Sequence, residues 1–385
     1  MLKKVGIYME QCPSVYTHPR LDSNLVSAVI WIRSGFKDCR ESCPELAHLT
    51  EHLIIESLPE SLPILKHAVC AMEYTYFQIT STKNQFQPCF SKLLNMLTNF
   101  QTSEEKFQTQ KHVVLQEQRY RKTDLLQDFM HSFAMRYWNI FDSSLEKLEL
   151  GIPTIETYIS SKYHDLNKII ITASGSIAGE HLCKILEPYL YQISSDSVLN
   201  NSVKVHPVYN QVTIKTVKPH LLFVIPIPGY KNVSSLVLEA IHRILVYTLK
   251  KQCHKKGIIY AIPNKCLLYA KHGFIIGLLP QCYDYLDLAI LFLKEAISRL
   301  IKTESYQSSK TLLQMIKLKK IAELESPTEA ALGMARNMFY EQKIYSSNEL
   351  SSFYDQLSGQ KLNEYMVSTF RYFIESEYYI HVEPL

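Results

Sequence analysis

The sequence has no run of about 18 or more consecutive apolar residues, the length a membrane-crossing helix needs, so no transmembrane segment and no membrane partner are expected. The opening residues Met1 to Glu10 carry Lys3 and Lys4 but no long apolar core, so no secretory signal is read there. Glycine is scarce, at 11 in 385 residues, and none of it forms a glycine-rich phosphate loop. Excess charge is lacking too. A formal net charge of +4 with no concentrated basic patch does not describe a nucleic-acid binder. No C-x-x-C occurs, and the nine cysteines are odd in number and scattered. Free, mostly buried thiols in a reducing compartment, hence a cytoplasmic location, fit that pattern.

What is present is ordinary globular material. Hydrophobic residues make up 46% and charged residues 20%, enough to build packed cores, and the length predicts two or more domains. Val26 to Arg33 is β-branched and aromatic and reads as a mostly buried strand. Met72 to Thr82 alternates as a strand does, and Phe86 to Thr98 has an apolar helical stripe. A long helix is expected from Ser103 to about Phe133. Further helices are read at Ile155 to Tyr163 and Gly179 to Tyr191, around a strand at Lys168 to Ser174. Gln192 to Pro207, rich in Ser and Asn, reads as a linker. Beyond it the plan repeats, with strands at Leu221 to Ile227, Ile258 to Ile262, Phe274 to Leu279 and Tyr378 to Val382. The helices between them are read at Ser234 to Lys250, Tyr285 to Ile301, Ser308 to Glu323, Pro327 to Tyr340, Ser347 to Gln356 and Leu362 to Phe373. The expected fold class is α+β: two similar α/β-sandwich domains in tandem, residues 1–195 and 208–385, each a mostly antiparallel sheet packed by helices.

One stretch carries chemistry. In Glu45-Leu-Ala-His-Leu-Thr-Glu-His-Leu-Ile-Ile55 the apolar positions Leu46, Leu49, Leu53 and Ile54 recur at helical spacing. His48 and His52 are four apart and so lie on one helix face, where two imidazoles can meet one metal ion. Glu51 borders that face. The order is H-x-x-E-H, a zinc-peptidase signature, though the same three residues also suit a solvated helix face. Further on, Val113, Val114 and Glu117 fall at helical spacing. Glu117 is a candidate third ligand; the simpler reading of it is a surface acid paired with Arg121, four positions on. Cys39 and Cys43, just before the motif, leave a sulfur-containing structural zinc site open.

Taken together, the strand ending in Ser34-Gly35, the H-x-x-E-H helix, Glu73-Tyr74-Thr75-Tyr76 and Val113-Val114-Leu115-Gln116-Glu117 resemble the pitrilysin/insulinase family of zinc peptidases. Gly151-Ile152-Pro153, Gly175-Ser176, Lys256-Gly257-Ile258-Ile259-Tyr260 and the Ala331-to-Tyr345 helix extend the likeness over essentially the whole chain. Among that family it looks like the small two-domain members related to mitochondrial processing peptidase and to bacterial bacteriocin-maturation peptidases. The resemblance implies one zinc ion per chain, held by His48, His52 and Glu117, with Glu51 as general base. It implies an extended peptide laid along an edge strand at Val69, Cys70, Ala71 and Met72, with Tyr260 and Tyr269 reaching over it; core packing is the alternative for both tyrosines. It also implies a homologous second subunit, the same or different, closing a clamshell around short or unfolded peptides such as a bacteriocin-type leader.

Two departures stand out against that resemblance. Glu117 follows His52 by 65 positions, shorter than in typical relatives, and Glu56 to Cys70 looks trimmed. The family usually has a second Glu seven residues before the ligand Glu, supporting the site; here that position is Gln110. A neutral amide still hydrogen-bonds but brings no charge. Three outcomes therefore stay open: a zinc endopeptidase, a weak or inactive peptide-binding partner subunit, and a structural zinc site closed by Cys39 or Cys43.

Overall fold

The computed structural model describes residues 3–4, 13–39, 43–140, 150–190, 212–217, 220–257, 261–279, 286–301, 306–357, 360–375 and 380–384. The chain divides into two compact units: Met1–His206 with Ala322–Ser346, and Pro207–Ile321 with Ser347–Leu385. Both are mixed α/β, as the sequence predicts.

The first unit is built on a six-stranded sheet. Its strands are β1 (Lys3–Lys4), β2 (Ser14–Pro19), β3 (Leu25–Ile32), β4 (Ile64–Cys70), β5 (Thr75–Thr82) and β6 (Ile169–Gly175), in the order β1-β2-β6-β3-β5-β4. Among the described strands of this sheet only β2 and β6 pair in parallel. β3 lies in the middle and shows why the sheet needs cover on both faces. Alternate residues Val26, Ala28, Ile30 and Ile32 enter one core, with α1 (Glu45–Ile55), α2 (Lys83–Thr98), α5 (Ile152–Lys162) and α6 (Gly179–Leu190). The residues between them face α10 (Pro327–Glu341), which lies across β6, β3 and β2. Trp31 packs on Phe339 of α10 at 5.5 Å. Two polar side chains of this face reach the helix: Gln78 Nε2 and Thr172 Oγ1 donate to the Thr328 and Ala331 carbonyls. At the other end of α10, Arg33 donates to the Met338 and Phe339 carbonyls. A cation is favoured at that helix end.

The second unit has strands β7 (Val212–Val217), β8 (His220–Pro228), β9 (Asn264–Leu268), β10 (His272–Leu279) and β11 (Ile380–Pro384), in the order β11-β7-β8-β10-β9. Its helices are α7 (Ser235–Lys255), α8 (Leu286–Ile301), α9 (Tyr306–Glu323), α11 (Ser347–Gln356) and α12 (Gln360–Glu375).

The differences from expectation have local causes. The long helix expected to Phe133 is two helices, α3 (Glu104–Arg121) and α4 (Leu125–Tyr137). Asp124 caps the second by accepting from the Leu126 and Gln127 amides, which favours a fresh start over continuation. The stretch that looked trimmed holds a strand, β4. The strand expected from Met72 begins at Thr75, because residues 71–74 make the β4–β5 turn. The expected strand at Ile258 lies partly outside the described residues, and β9 starts at Asn264. The linker read at Gln192 to Pro207 lies outside them too. The division of the chain differs from a single boundary near residue 200 in one respect: α10, assigned by chain order to the second domain, is packed on the first sheet. No described helix is long and apolar enough to cross a membrane.

Candidate metal centre

The motif folds as the 11-residue helix α1. Leu46, Leu49, Leu53 and Ile54 are all buried in the core beneath the sheet. Each contributes about 1.5–3 kcal/mol, so the helix cannot rotate cheaply about its axis. That fixes His48 and His52 on the side facing α3. Their rings stand edge to face with centroids 4.8 Å apart.

α3 is anchored independently. Ser103 accepts from the Lys106 amide at its start, and Phe107 and Val114 are fully buried. Gln110, Glu117 and Arg121 lie on the same stripe, at helical spacing from those anchors. The two helices meet in opposite senses. Arg121 faces Glu45, Glu117 faces both histidines, and Gln110 faces His52. Glu117 Oε2 is 3.4 Å from His48 Nε2 and 3.5 Å from His52 Nε2. The surface-pair reading of Glu117 is thereby displaced: Arg121 Nη2 goes to Glu45 Oε1 at 3.4 Å.

These distances fit a metal ion. A tetrahedral zinc with bonds of ~2.0–2.2 Å separates its ligand atoms by roughly 3.3–3.6 Å. One donor atom from each of His48, His52 and Glu117 falls within 4.8 Å of the others. Two imidazoles and one carboxylate form a donor set used by zinc enzymes, with a fourth position for water. Among the described residues no cysteine joins this group, and burial pushes the Cys39 thiol up to about 12, unlike a ligating thiolate.

Both histidines are held through their second nitrogen. His48 Nδ1 lies 2.9 Å from Glu45 Oε2, and His52 Nδ1 lies 3.3 Å from Gln110 Oε1. Glu45, the first residue of α1, is also 3.8 Å from His131 Nε2 of α4. Burial would raise the Glu45 carboxyl; the hydrogen bond with His48 and the charges of His48, Arg121 and His131 outweigh it and hold it at about 2. Without a metal ion, burial would lower His48, but the bonds to Glu117 and Glu45 lift it to about 9. Glu51 is buried beside this group and forms no hydrogen bond or ion pair among the described residues. Burial, with the nearby charges of Glu117 and Glu56, raises its carboxyl to about 7.

The remaining expected positions separate. Val69 and Cys70 lie at the end of β4, the outer strand of the sheet. Ala71 and Met72 lie in the turn, where their carbonyls already accept from the Phe36 and Lys37 amides. Each carbonyl thus has one of its two lone pairs engaged within the chain. Tyr269 is buried within the second unit, edge-on to Phe274, which is a core role. Tyr260 lies outside the described residues. Sequence reasoning did not single out Glu45, although it lies one helical turn before its partner His48, nor His131, which meets Glu45 from far along the chain.

No protein-family model matches this chain, and no curated protein matches it in sequence. Solved structures share its fold. A protease from Helicobacter pylori superposes with a TM-score of 0.76 at 12% identity, covering 96% of each chain. A peptidase M16 inactive domain from Pseudomonas fluorescens gives 0.77 at 10% identity over 96% of this chain and 95% of that one. A protein described as an M16-like peptidase from Alicyclobacillus acidocaldarius gives 0.74 at 11% identity over 100% and 99%. The fold is thus that of M16-like peptidases along almost the entire chain, and it is shared by a domain described as inactive as well as by a protease.

Proposed function

We propose that the chain is a zinc-dependent endopeptidase acting on short or unfolded peptides in extended form. The observation that carries this reading is the convergence of His48, His52 and Glu117, whose donor atoms lie within 4.8 Å of one another, beside a buried carboxylate, Glu51, that forms no hydrogen bond or ion pair among the described residues. His48 and His52 offer Nε2 and Glu117 offers Oε2 to the ion. An ion such as zinc held there would supply Lewis-acid polarisation of the scissile carbonyl and a bound water with its pKa lowered to about 7. Glu51 takes the proton from the attacking water and hands it to the leaving nitrogen. Burial raises this carboxyl in the metal-free site, and a cation beside it would favour the charged form that accepts a proton. β4 lies at the sheet edge, and a peptide can add to such an edge at Val69 and Cys70 through backbone hydrogen bonds. The resemblance drawn from the sequence adds a homologous second subunit, a leader-type peptide as substrate and a cytoplasmic setting. Mass measurement of the native complex tests the pairing.

The second reading is a peptide-binding partner subunit with little or no activity. Gln110 favours it, because the amide gives His52 no negative charge. Metal analysis and one substitution separate the two. The enzyme reading requires about one zinc per chain. It also requires Glu51→Gln to keep that zinc while peptide cleavage falls roughly 10²–10⁴-fold. Unchanged cleavage in Glu51→Gln removes the assigned base; no zinc at all removes the enzyme.

A further inference from the structure

The two imidazoles of the centre are supported unequally. His52 Nδ1 meets a neutral amide, Gln110, at 3.3 Å. His48 Nδ1 meets a carboxylate, Glu45, at 2.9 Å. That carboxylate is only 2% exposed and spends both oxygens: Oε2 on His48, Oε1 on Arg121 at 3.4 Å and His131 at 3.8 Å. Burying a carboxylate costs several kcal/mol unless partners compensate, and here α3 and α4 each send a basic side chain to it. A helix start favours an acid in its first turn, but that needs neither burial nor a bond to a histidine one turn on. A carboxylate behind a ligating imidazole fixes its tautomer and ring angle and makes the ring a stronger donor.

We infer that Glu45 is a positioning residue of the metal centre: its charge holds the His48 ring with Nδ1–H turned inward and Nε2 toward the ion, while Arg121 and His131 hold Glu45 in place. This rests on the zinc reading above. The one charged support of the pair thus comes from α1 itself, three residues before the first histidine, and the neutral one from α3.

Glu45→Gln keeps the size and an acceptor oxygen and removes the charge. Zinc affinity is read by chelator competition on wild type and variant, with melting of the metal-free proteins measured alongside. The inference expects zinc to bind about 10- to 100-fold more weakly in the variant. Lower metal-free melting with unchanged zinc affinity would make Glu45 a helix anchor only and overturn the inference. Wild type holding one zinc while Glu45→Gln binds it equally tightly rejects the positioning role alone. A wild type that holds no zinc rejects the centre and this inference with it. Should the variant not fold, long-range proton–nitrogen correlation on the zinc-loaded wild type decides. Expected are zinc at Nε2 of both histidines and a His48 Nδ1 proton further downfield than that of His52. Zinc at His48 Nδ1, or equal proton shifts, would overturn it.

Discussion

At the scale of single residues, Gln110 is the position where charge and hydrogen bonding can be separated. Its Oε1 accepts from His52 Nδ1 across 3.3 Å, and a ligand histidine wants an acceptor there to keep its proton on Nδ1. Gln110→Leu leaves the ring with no such acceptor, so zinc affinity is expected to fall about 10-fold or more, while Gln110→Glu tightens it. Chelator competition reads both. A Leu variant as tight as wild type would show that His52 is oriented by packing alone. The donor positions are legible in the sequence because His48 and His52 belong to one turn-to-turn repeat, and because Glu117 sits beside the apolar Val114 that buries its helix. The second layer is not legible. Arg121 lies 76 positions from Glu45, and no local pattern marks an acid at a helix start as the partner of a distant base.

The placing of elements depends on one close approach. Between β3 and α1 the chain makes a 3-10 turn, Phe36–Cys39, whose amides at Phe36 and Lys37 donate to the Ala71 and Met72 carbonyls. Phe36 then packs on His48 and His131, with ring centroids 6.0 and 5.7 Å apart. Gly35 permits this: a Cβ there would come within 2.0 Å of the Ala71 carbonyl oxygen and 2.9 Å of the Tyr74 amide, both backbone atoms that cannot swing aside. Gly35→Ala is expected to destabilise the first unit by about 1–3 kcal/mol, since the backbone must shift, and to weaken zinc binding by moving Phe36 off His48. Denaturant unfolding with and without zinc measures it; a variant as stable and as tight as wild type would refute the clamp. The turn at Ser34-Gly35 is visible in the sequence, but its contact across the sheet edge is not. The same limit hid β4, whose Lys66 and His67 interrupt the apolar pattern that a central strand such as β3 shows plainly. An edge strand needs no such pattern, because less of it is buried.

For the molecule as a whole, the repeated α+β plan is legible from alternating strand and helix patterns, and the allegiance of α10 is not. Its apolar stripe says that it is buried; only the tertiary contact with Trp31 and the sheet hydroxyls says against what. The second unit bears a separate consequence of burial. His242, on α7, has its Nε2 buried without a hydrogen-bond partner among the described residues. Burial holds its pKa down to about 4 from an ordinary 6.5, against the raising effect of the bond with Asn264. The unfolded chain therefore binds a proton between pH 6.5 and 4 that the folded unit refuses, and stability must rise with pH across that window. The contribution is complete above pH 6.5 and fades as pH falls to about 4, by ~3 kcal/mol at most. His242→Gln cannot titrate, so its stability should decline less between those limits. Denaturant unfolding of wild type and variant at pH 7.5, 5 and 4 gives the comparison, and because other acids and histidines are common to both proteins, the difference belongs to position 242. Curves that fall in parallel would mean that His242 takes its proton in the folded unit, and that the space around Nε2 is open to water.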